Sequence, residues 1–142
     1  MKRIMYVIFL FAFGIILAAC SEKEELLTRV DVQKVNEEGN YEDVFMITDQ
    51  QKVDLISNYL ENVSWEPKTK VEMARKEDIL ATLFYMIDKN IPEKIYEYRI
   101  WFNKNETAII ISNNEKEGFG RLDKENSQNL KNILLNEFST SV

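Results

Sequence analysis

Cys20 carries the only thiol in the 142-residue chain, and the chain contains no histidine. A Cys/His zinc site and a Ser-His or Cys-His nucleophile both need residue types that are missing here. An intrachain disulfide needs a second cysteine. The composition excludes all three, and it leaves carboxylates, hydroxyls, Lys and Tyr as the reactive groups.

The remaining reactive groups form no catalytic or metal-binding pattern along the chain. A glycosidase needs two carboxylates about 5–9.5 Å apart, but nothing selects one pair among 24 Asp and Glu. No serine is followed three residues later by lysine, as serine–lysine catalysis would require. The segment 113–118 is rich in oxygen ligands, but it does not match a calcium loop. We therefore predict no catalytic residues, no metal site and no cofactor, and we expect that the protein is not an enzyme.

The charge of the chain argues against nucleic acid as a partner. Lys and Arg number 18 against 24 Asp and Glu, so the formal net charge is −6. Nucleic-acid binding depends on a basic surface that neutralises phosphates. We expect no nucleic-acid partner.

The first twenty residues are typical of a secretory signal. Lys2 and Arg3 precede an apolar run from Ile4 to Leu17, and small residues follow. The sequence Leu17-Ala18-Ala19-Cys20 resembles the lipobox of bacterial lipoproteins. That resemblance implies cleavage before Cys20 and attachment of diacylglycerol to its thiol.

This resemblance predicts the organisation of the chain. Residues 1–19 would be the lipoprotein signal peptide, 20–27 the lipidated cysteine with a charged tether, and 28–138 a single α+β domain. The protein would be anchored by lipid on the extracytoplasmic side of the cell membrane. Two alternatives remain open: an uncleaved membrane anchor, and a secreted protein whose cysteine is incidental.

The residue pattern in the N-terminal half of the domain predicts two strands and a helix. Alternating residues predict a strand over 28–35, and a polar turn leads to a second strand over 41–47. Thr48 and Gln51 fit a capping box for a helix that continues to about Asn62. Its apolar stripe contains residues Val53, Ile56 and Leu60.

The residue pattern in the C-terminal half of the domain predicts three strands and a second helix. We predict strands over 79–87, 94–102 and 107–112, although 73–87 could instead form a buried helix. Asp123 is the expected N-cap of the last helix, which continues to about Asn136. The order β-β-α-β-β-β-α favours an α+β fold in which an antiparallel sheet of about five strands carries two helices.

Aromatic residues concentrate in the strands and their flanking loops, at positions Trp65, Tyr85, Tyr96, Tyr98, Trp101 and Phe119. If Tyr96 and Tyr98 face the core, Glu97, Arg99 and Trp101 lie on the opposite face of the sheet. We propose Trp101, Arg99, Glu97 and Phe119 as a candidate interaction surface, because Trp beside Arg is common at interfaces. The alternative is that the 68–78 connection or a helix covers Trp101.

The domain as a whole resembles small lipoproteins of Gram-positive, Bacillus-type bacteria with a YhfM-like domain. The matching features are the lipobox, the Ile47-Thr48-Asp49 turn before the first helix, and Gly118-Phe119-Gly120-Arg121-Leu122 before the last one. The resemblance implies no particular activity or site residues. We expect a membrane-anchored extracytoplasmic lipoprotein that acts as a non-enzymatic binding or interaction module, with an envelope or secreted protein as partner. The alternative is a lipoprotein that binds a small ligand or a cation.

Overall fold

The computed structural model describes residues 24–139, with side chains described to residue 136. In chain order the elements are β1 (Leu26–Lys34), β2 (Phe45–Ile47), α1 (Gln50–Leu60), β3 (Ser64–Glu66), β4 (Ile79–Met86), β5 (Lys94–Phe102), β6 (Ala108–Ser112), β7 (Phe119–Leu122) and α2 (Lys124–Ser139). The expected signal peptide and Cys20 lie outside the described residues. Among the described residues, no helix is long and apolar enough to cross a membrane.

The described strands form one antiparallel sheet in the order β2-β1-β4-β5-β6-β7-β3. The α+β class, the antiparallel sheet and the two helices are confirmed. Residues 79–86 form a strand, which settles the choice between strand and helix for this segment. The expected count of about five strands is wrong, because the described sheet has seven.

The two unexpected strands, β3 and β7, are short and pair with each other. β3 has three residues and ends just before Pro67, and β7 lies among glycines that suggest a loop in the sequence. In the fold, Gly120 lies opposite Trp65, and a Cβ at position 120 would be 2.6 Å from the Trp65 ring. Gly120 therefore allows a close approach of side chains and does not mark a turn.

Both helices pack on one face of the sheet, which we call the inner face. Apolar residues at helical spacing on α1 and α2 meet the alternating inward residues of the strands in one cluster. The helical members of the cluster are Val53, Ile56, Leu60, Leu130 and Leu134, and its most buried strand members are Val30, Val32, Ile79, Leu83 and Ile110. Burial of each such side chain stabilises the fold by about 1.5–3 kcal/mol.

The opposite, outer face of the sheet is covered in part by the connection between β3 and β4. The Trp101 indole Nε1 donates a hydrogen bond to the Arg75 carbonyl oxygen at 2.9 Å, and Trp101 is 0 % exposed. The Arg75 guanidinium binds both carboxylate oxygens of Asp78, at 2.7 and 3.0 Å. Asp78 in turn accepts a hydrogen bond from the Phe102 backbone N–H at 2.7 Å. An irregular segment, and not a helix, therefore covers this part of the sheet.

The observed helix caps agree only in part with the caps predicted from the sequence. Asp123 Oδ1 accepts the Asn126 backbone N–H at 2.8 Å, as expected for the N-cap of α2. The N-cap of α1 is Asp49 and not Thr48, because Asp49 Oδ1 accepts the Lys52 N–H at 3.0 Å. The side chain one residue after Thr48 therefore satisfies the free amide.

Candidate binding cleft

The structure separates the four residues of the candidate interaction surface. Trp101 is 0 % and Phe119 is 4 % exposed, whereas Glu97 and Arg99 are exposed. Burial of the two aromatic rings is a correction to the exposed surface that we proposed, and it confirms the alternative that the connection covers Trp101. The physical reason is that the connection between β3 and β4 lies across the outer face. Only Glu97 and Arg99 of the four remain available to a partner.

A cleft of about 320 Å³ opens beside β5 on the inner face of the sheet, between the end of α1 and the β6–β7 loop. Its size falls at the low end of the range of small-molecule sites, about 300–1,000 Å³. Four of its residues are aromatic and three are acidic. The lining residues are Glu25, Ser57, Leu60, Glu61, Trp65, Tyr85, Tyr96, Tyr98, Asn114 and Glu117.

The aromatic rings of the cleft come from three strands. Tyr96 and Tyr98 alternate along β5 and so project from the same face of the sheet. Tyr85 on β4 meets Tyr96 edge to face with ring centroids 5.7 Å apart. Trp65 on β3 meets Tyr98 in the same manner at 5.6 Å. These contacts fix the rings against one another, and Trp65, Tyr85 and Tyr96 remain partly exposed.

Glu117 brings a carboxylate to this aromatic wall. Its Oε2 accepts a hydrogen bond from the Tyr98 hydroxyl at 2.6 Å, and its Oε1 accepts one from Ser112 Oγ at 2.9 Å. Ser112 Oγ also accepts the Asn114 backbone N–H at 3.0 Å. The carboxylate is thus held by neutral donors, which stabilise its charge without cancelling it.

The turn that carries Glu117 depends on the residue after it. Gly118 has a φ of 69°, in the left-handed region, and a Cβ there would lie 3.0 Å from the Pro67 carbonyl oxygen. Glycine adopts this conformation without the steric cost that other residues incur. Gly118 therefore lets the loop pass beneath the β3–β4 connection while Glu117 points back to the cleft.

The hydroxyls of Tyr85 and Tyr98 stay protonated well above neutral pH. Burial raises the pKa of Tyr85 to about 12, and the Glu117 charge adds to the rise. Burial also raises the pKa of Tyr98 far above its ordinary value of 10.0, and Tyr85 and Glu117 raise it further. Tyr98 is therefore a permanent hydrogen-bond donor to Glu117.

A second depression, of about 460 Å³, is larger but has fewer side chains that could bind or react with a ligand. It lies along the β6–β7 edge, and its lining includes no aromatic ring. Its charged members are Arg121 and Asp123, and the Asp123 carboxylate already caps α2. The aromatic cleft is the better candidate site, because rings and polar groups converge there.

The sequence showed the rings of this site but not their arrangement. In the sequence, Trp65, Tyr85, Tyr96 and Tyr98 all belong to the aromatic residues of the strands and their flanking loops. Glu117 is one of several oxygen-bearing residues in the segment 113–118, and its sequence position does not distinguish it from the others. The inward alternation of Tyr96 and Tyr98 was the one available signal, and it does not indicate which loop carboxylate would reach them. Within residues 24–139, no group of three or more His, Cys, Asp or Glu side chains is placed to hold a metal ion.

Comparison with known proteins gives one structural likeness. No protein-family model and no curated protein matches the chain. The fold is similar to the crystal structure of a thioesterase-like protein from Clostridium sporogenes ATCC 15579. The match has a TM-score of 0.53 and 23 % identity, and it covers 81 % of this chain and 98 % of that chain. It establishes the shared α+β fold.

This likeness corrects the expectation that the chain is not an enzyme. A protein with the same fold is described as thioesterase-like, so the fold provides no ground for excluding catalysis. The composition excludes catalysis that depends on histidine, but it leaves carboxylate chemistry open. Glu117, in a cleft beside aromatic rings, is a carboxylate in a position where such chemistry is feasible.

Proposed function

We propose that this chain is a lipoprotein, anchored through Cys20 on the outer side of the cell membrane, whose domain binds a ligand in the aromatic cleft. The observation that carries the binding role is the convergence of Trp65, Tyr85, Tyr96 and Glu117 on one cleft of about 320 Å³. Aromatic walls with a few fixed polar groups are typical of small-ligand sites.

The anchor is supported by the sequence and by where the domain begins. Leu17-Ala18-Ala19-Cys20 resembles a lipobox, and β1 begins at Leu26, only six residues after Cys20. Six extended residues span at most about 20 Å. A lipid on Cys20 would therefore keep the cleft close to the membrane, where a ligand in the envelope could reach it.

Metabolic labelling of intact cells with a palmitate analogue tests the anchor. The unchanged chain should incorporate the label and partition into detergent, because two or more acyl chains give stable membrane attachment. The Cys20→Ser variant should not incorporate the label. Ser21→Ala, one residue beyond the expected cut, is the matched control and should be labelled normally. Labelling of Cys20→Ser, or a mature chain that retains residues 1–19, would contradict the proposal.

A second candidate function is hydrolysis of a thioester in the same cleft. It is favoured by the Glu117 carboxylate and by the fold shared with a protein described as thioesterase-like. Glu117 would take a proton from water as the water oxygen attacks the thioester carbonyl carbon. The C–S bond would then break, and the thiol would leave with that proton.

Thiol release from short and long acyl thioesters, followed with a thiol-reactive dye, tests this candidate. Hydrolysis above the buffer rate that falls by about 10²–10⁴-fold in Glu117→Gln would support it. The Glu115→Gln variant is a matched control on the same loop, since Glu115 does not line the cleft. Equal rates in Glu117→Gln and in the unchanged chain would remove Glu117 from the reaction.

A further inference from the structure

The aromatic rings that line the cleft are suited to a positively charged ligand. Trp65, Tyr85 and Tyr96 are partly exposed, and each is held in an edge-to-face contact. The face of an aromatic ring carries negative potential and attracts cations within about 6 Å of the centroid. Several rings around one space form the kind of cage that binds quaternary ammonium groups.

The charged residues of the cleft all have the same sign. Glu25, Glu61 and Glu117 line it, and no Lys or Arg of the described residues does. Lys94 forms an ion pair with Glu25 at 2.5 Å, which leaves Glu61 and Glu117 as the negative charges free to act on a ligand. A negative site lined by rings favours a cation over a neutral or anionic ligand of the same shape.

The hydrogen bonds of Glu117 increase this preference. Both of its oxygens accept from neutral hydroxyls, of Tyr98 and Ser112, so neither of these two donors brings a positive charge to the carboxylate. Tyr98 is only 2 % exposed, so the charge lies against a wall from which water is excluded. Charge attraction is stronger where water is excluded.

An organic cation fits the site better than a metal ion. Among the described residues, no three acidic, His or Cys side chains come together as metal ligands. The three carboxylates lie on the tether end, the end of α1 and the β6–β7 loop, around the rings. Because the three carboxylates are separated and surround the aromatic rings, they suit a bulky organic cation better than a compact metal ion.

We propose that the cleft binds an organic cation, an alkylammonium group seated against Trp65, Tyr85 and Tyr96 and attracted by Glu117. This inference rests on the proposed binding role of the same cleft and names the chemical class of its ligand. The charged nitrogen would approach the ring faces, and its alkyl groups would fill the remaining space.

Choline and dimethylbutanol, in which carbon replaces the charged nitrogen, are a matched pair of probes. The full chain, purified in a nonionic detergent, would carry Trp101→Phe so that Trp65 is the single fluorescent reporter. Choline should change the Trp65 emission saturably, and dimethylbutanol should bind about tenfold more weakly or worse. Added salt should weaken choline binding.

Variants of the carboxylates test the role of charge. Glu117→Gln keeps the shape and should weaken choline binding by about tenfold, without changing the affinity for dimethylbutanol. Glu61 is exposed, and Glu61→Gln is a second test of the role of charge. It leaves the hydrogen bonds that Glu117 accepts from Tyr98 and Ser112 unchanged. Glu115→Gln, outside the cleft, should bind choline normally.

The outcomes separate this inference from the proposed function. If dimethylbutanol binds as well as choline, the cleft binds ligands by shape, and the cationic class is wrong while the binding role stands. If neither probe changes Trp65 emission, the cationic class is also overturned. Labelling of Cys20 then decides the anchor independently.

Discussion

At the scale of single residues, the least expected group is a buried carboxylate on the outer face. Glu77 is 2 % exposed and accepts hydrogen bonds from the Tyr41 hydroxyl and from Arg99 Nε and Nη2, at 3.2 and 3.0 Å for the latter two. Lys76 Nζ lies 4.1 Å from the Tyr41 ring centroid. These contacts join the β1–β2 loop, the β3–β4 connection and β5 around one negative charge.

The hydrogen bonds of Glu77 outweigh the cost of burying it. Burial raises the pKa of Glu77, but the bonds from Tyr41 and Arg99 lower it, and the net pKa lies below its ordinary value of 4.5. A carboxylate with a lowered pKa in the folded state stabilises the fold at every pH above its unfolded pKa. That stabilisation is lost as the pH falls through the lower, folded pKa.

We predict that Glu77→Gln lowers the free energy of unfolding by about 1–3 kcal/mol at neutral pH, because the charged acceptor of two donors is lost. The deficit should shrink in acid, because below the unfolded pKa of Glu77 the unfolded chain takes up a proton there and the stabilising contribution of the folded carboxylate declines. Urea denaturation at neutral pH and at about pH 3 measures both effects. Glu97→Gln, an exposed carboxylate on β5, is the control and should cost less than about 0.5 kcal/mol. A deficit that does not change with pH would contradict this account.

At the scale of elements, the helices were predictable because their signals are local. The apolar spacing of Val53, Ile56 and Leu60 predicted α1, and these side chains are buried. The cap was missed by one residue, because Thr48 and Asp49 are both good cap residues and the sequence does not decide between them. The short strands β3 and β7 were missed because three or four residues carry too little alternation to detect.

We predict that Asp49→Ala destabilises the protein by about 1 kcal/mol, since it leaves the Lys52 amide without its side-chain acceptor. Thr48→Ala should change stability by only a few tenths, because its side chain does not cap the helix. Thermal unfolding of the two single variants under identical conditions makes the comparison. Equal losses, or a greater loss in Thr48→Ala, would restore the capping box predicted from the sequence.

At the scale of the whole molecule, the sheet has two differently covered faces. Both helices pack on the inner face, and the β3–β4 connection covers Trp101 and Phe119 on the outer one. The two tryptophans of the chain therefore report on opposite faces, with Trp65 in the cleft and Trp101 beneath the connection.

We predict that the two tryptophans differ in their access to solvent. Trp65→Phe leaves Trp101 alone, which should emit at short wavelength and resist quenching by iodide because it is 0 % exposed. Trp101→Phe leaves Trp65, which should emit at longer wavelength and be quenched readily. Strong quenching of Trp101 in a folded Trp65→Phe variant would show that the outer face is open, and it would restore Trp101 to the interaction surface.

The sequence by itself determined the fold class, both helices and the main strands, since periodicity and caps act over a few neighbouring residues. It also predicts the lipid anchor through four adjacent residues. Only the tertiary structure decided that Trp101 is covered, that Trp65 and Gly120 pair, and that Glu117 meets Tyr98. These contacts join residues 19 to 55 positions apart in the chain. Such contacts depend on strand order and loop paths, which local residue patterns do not specify.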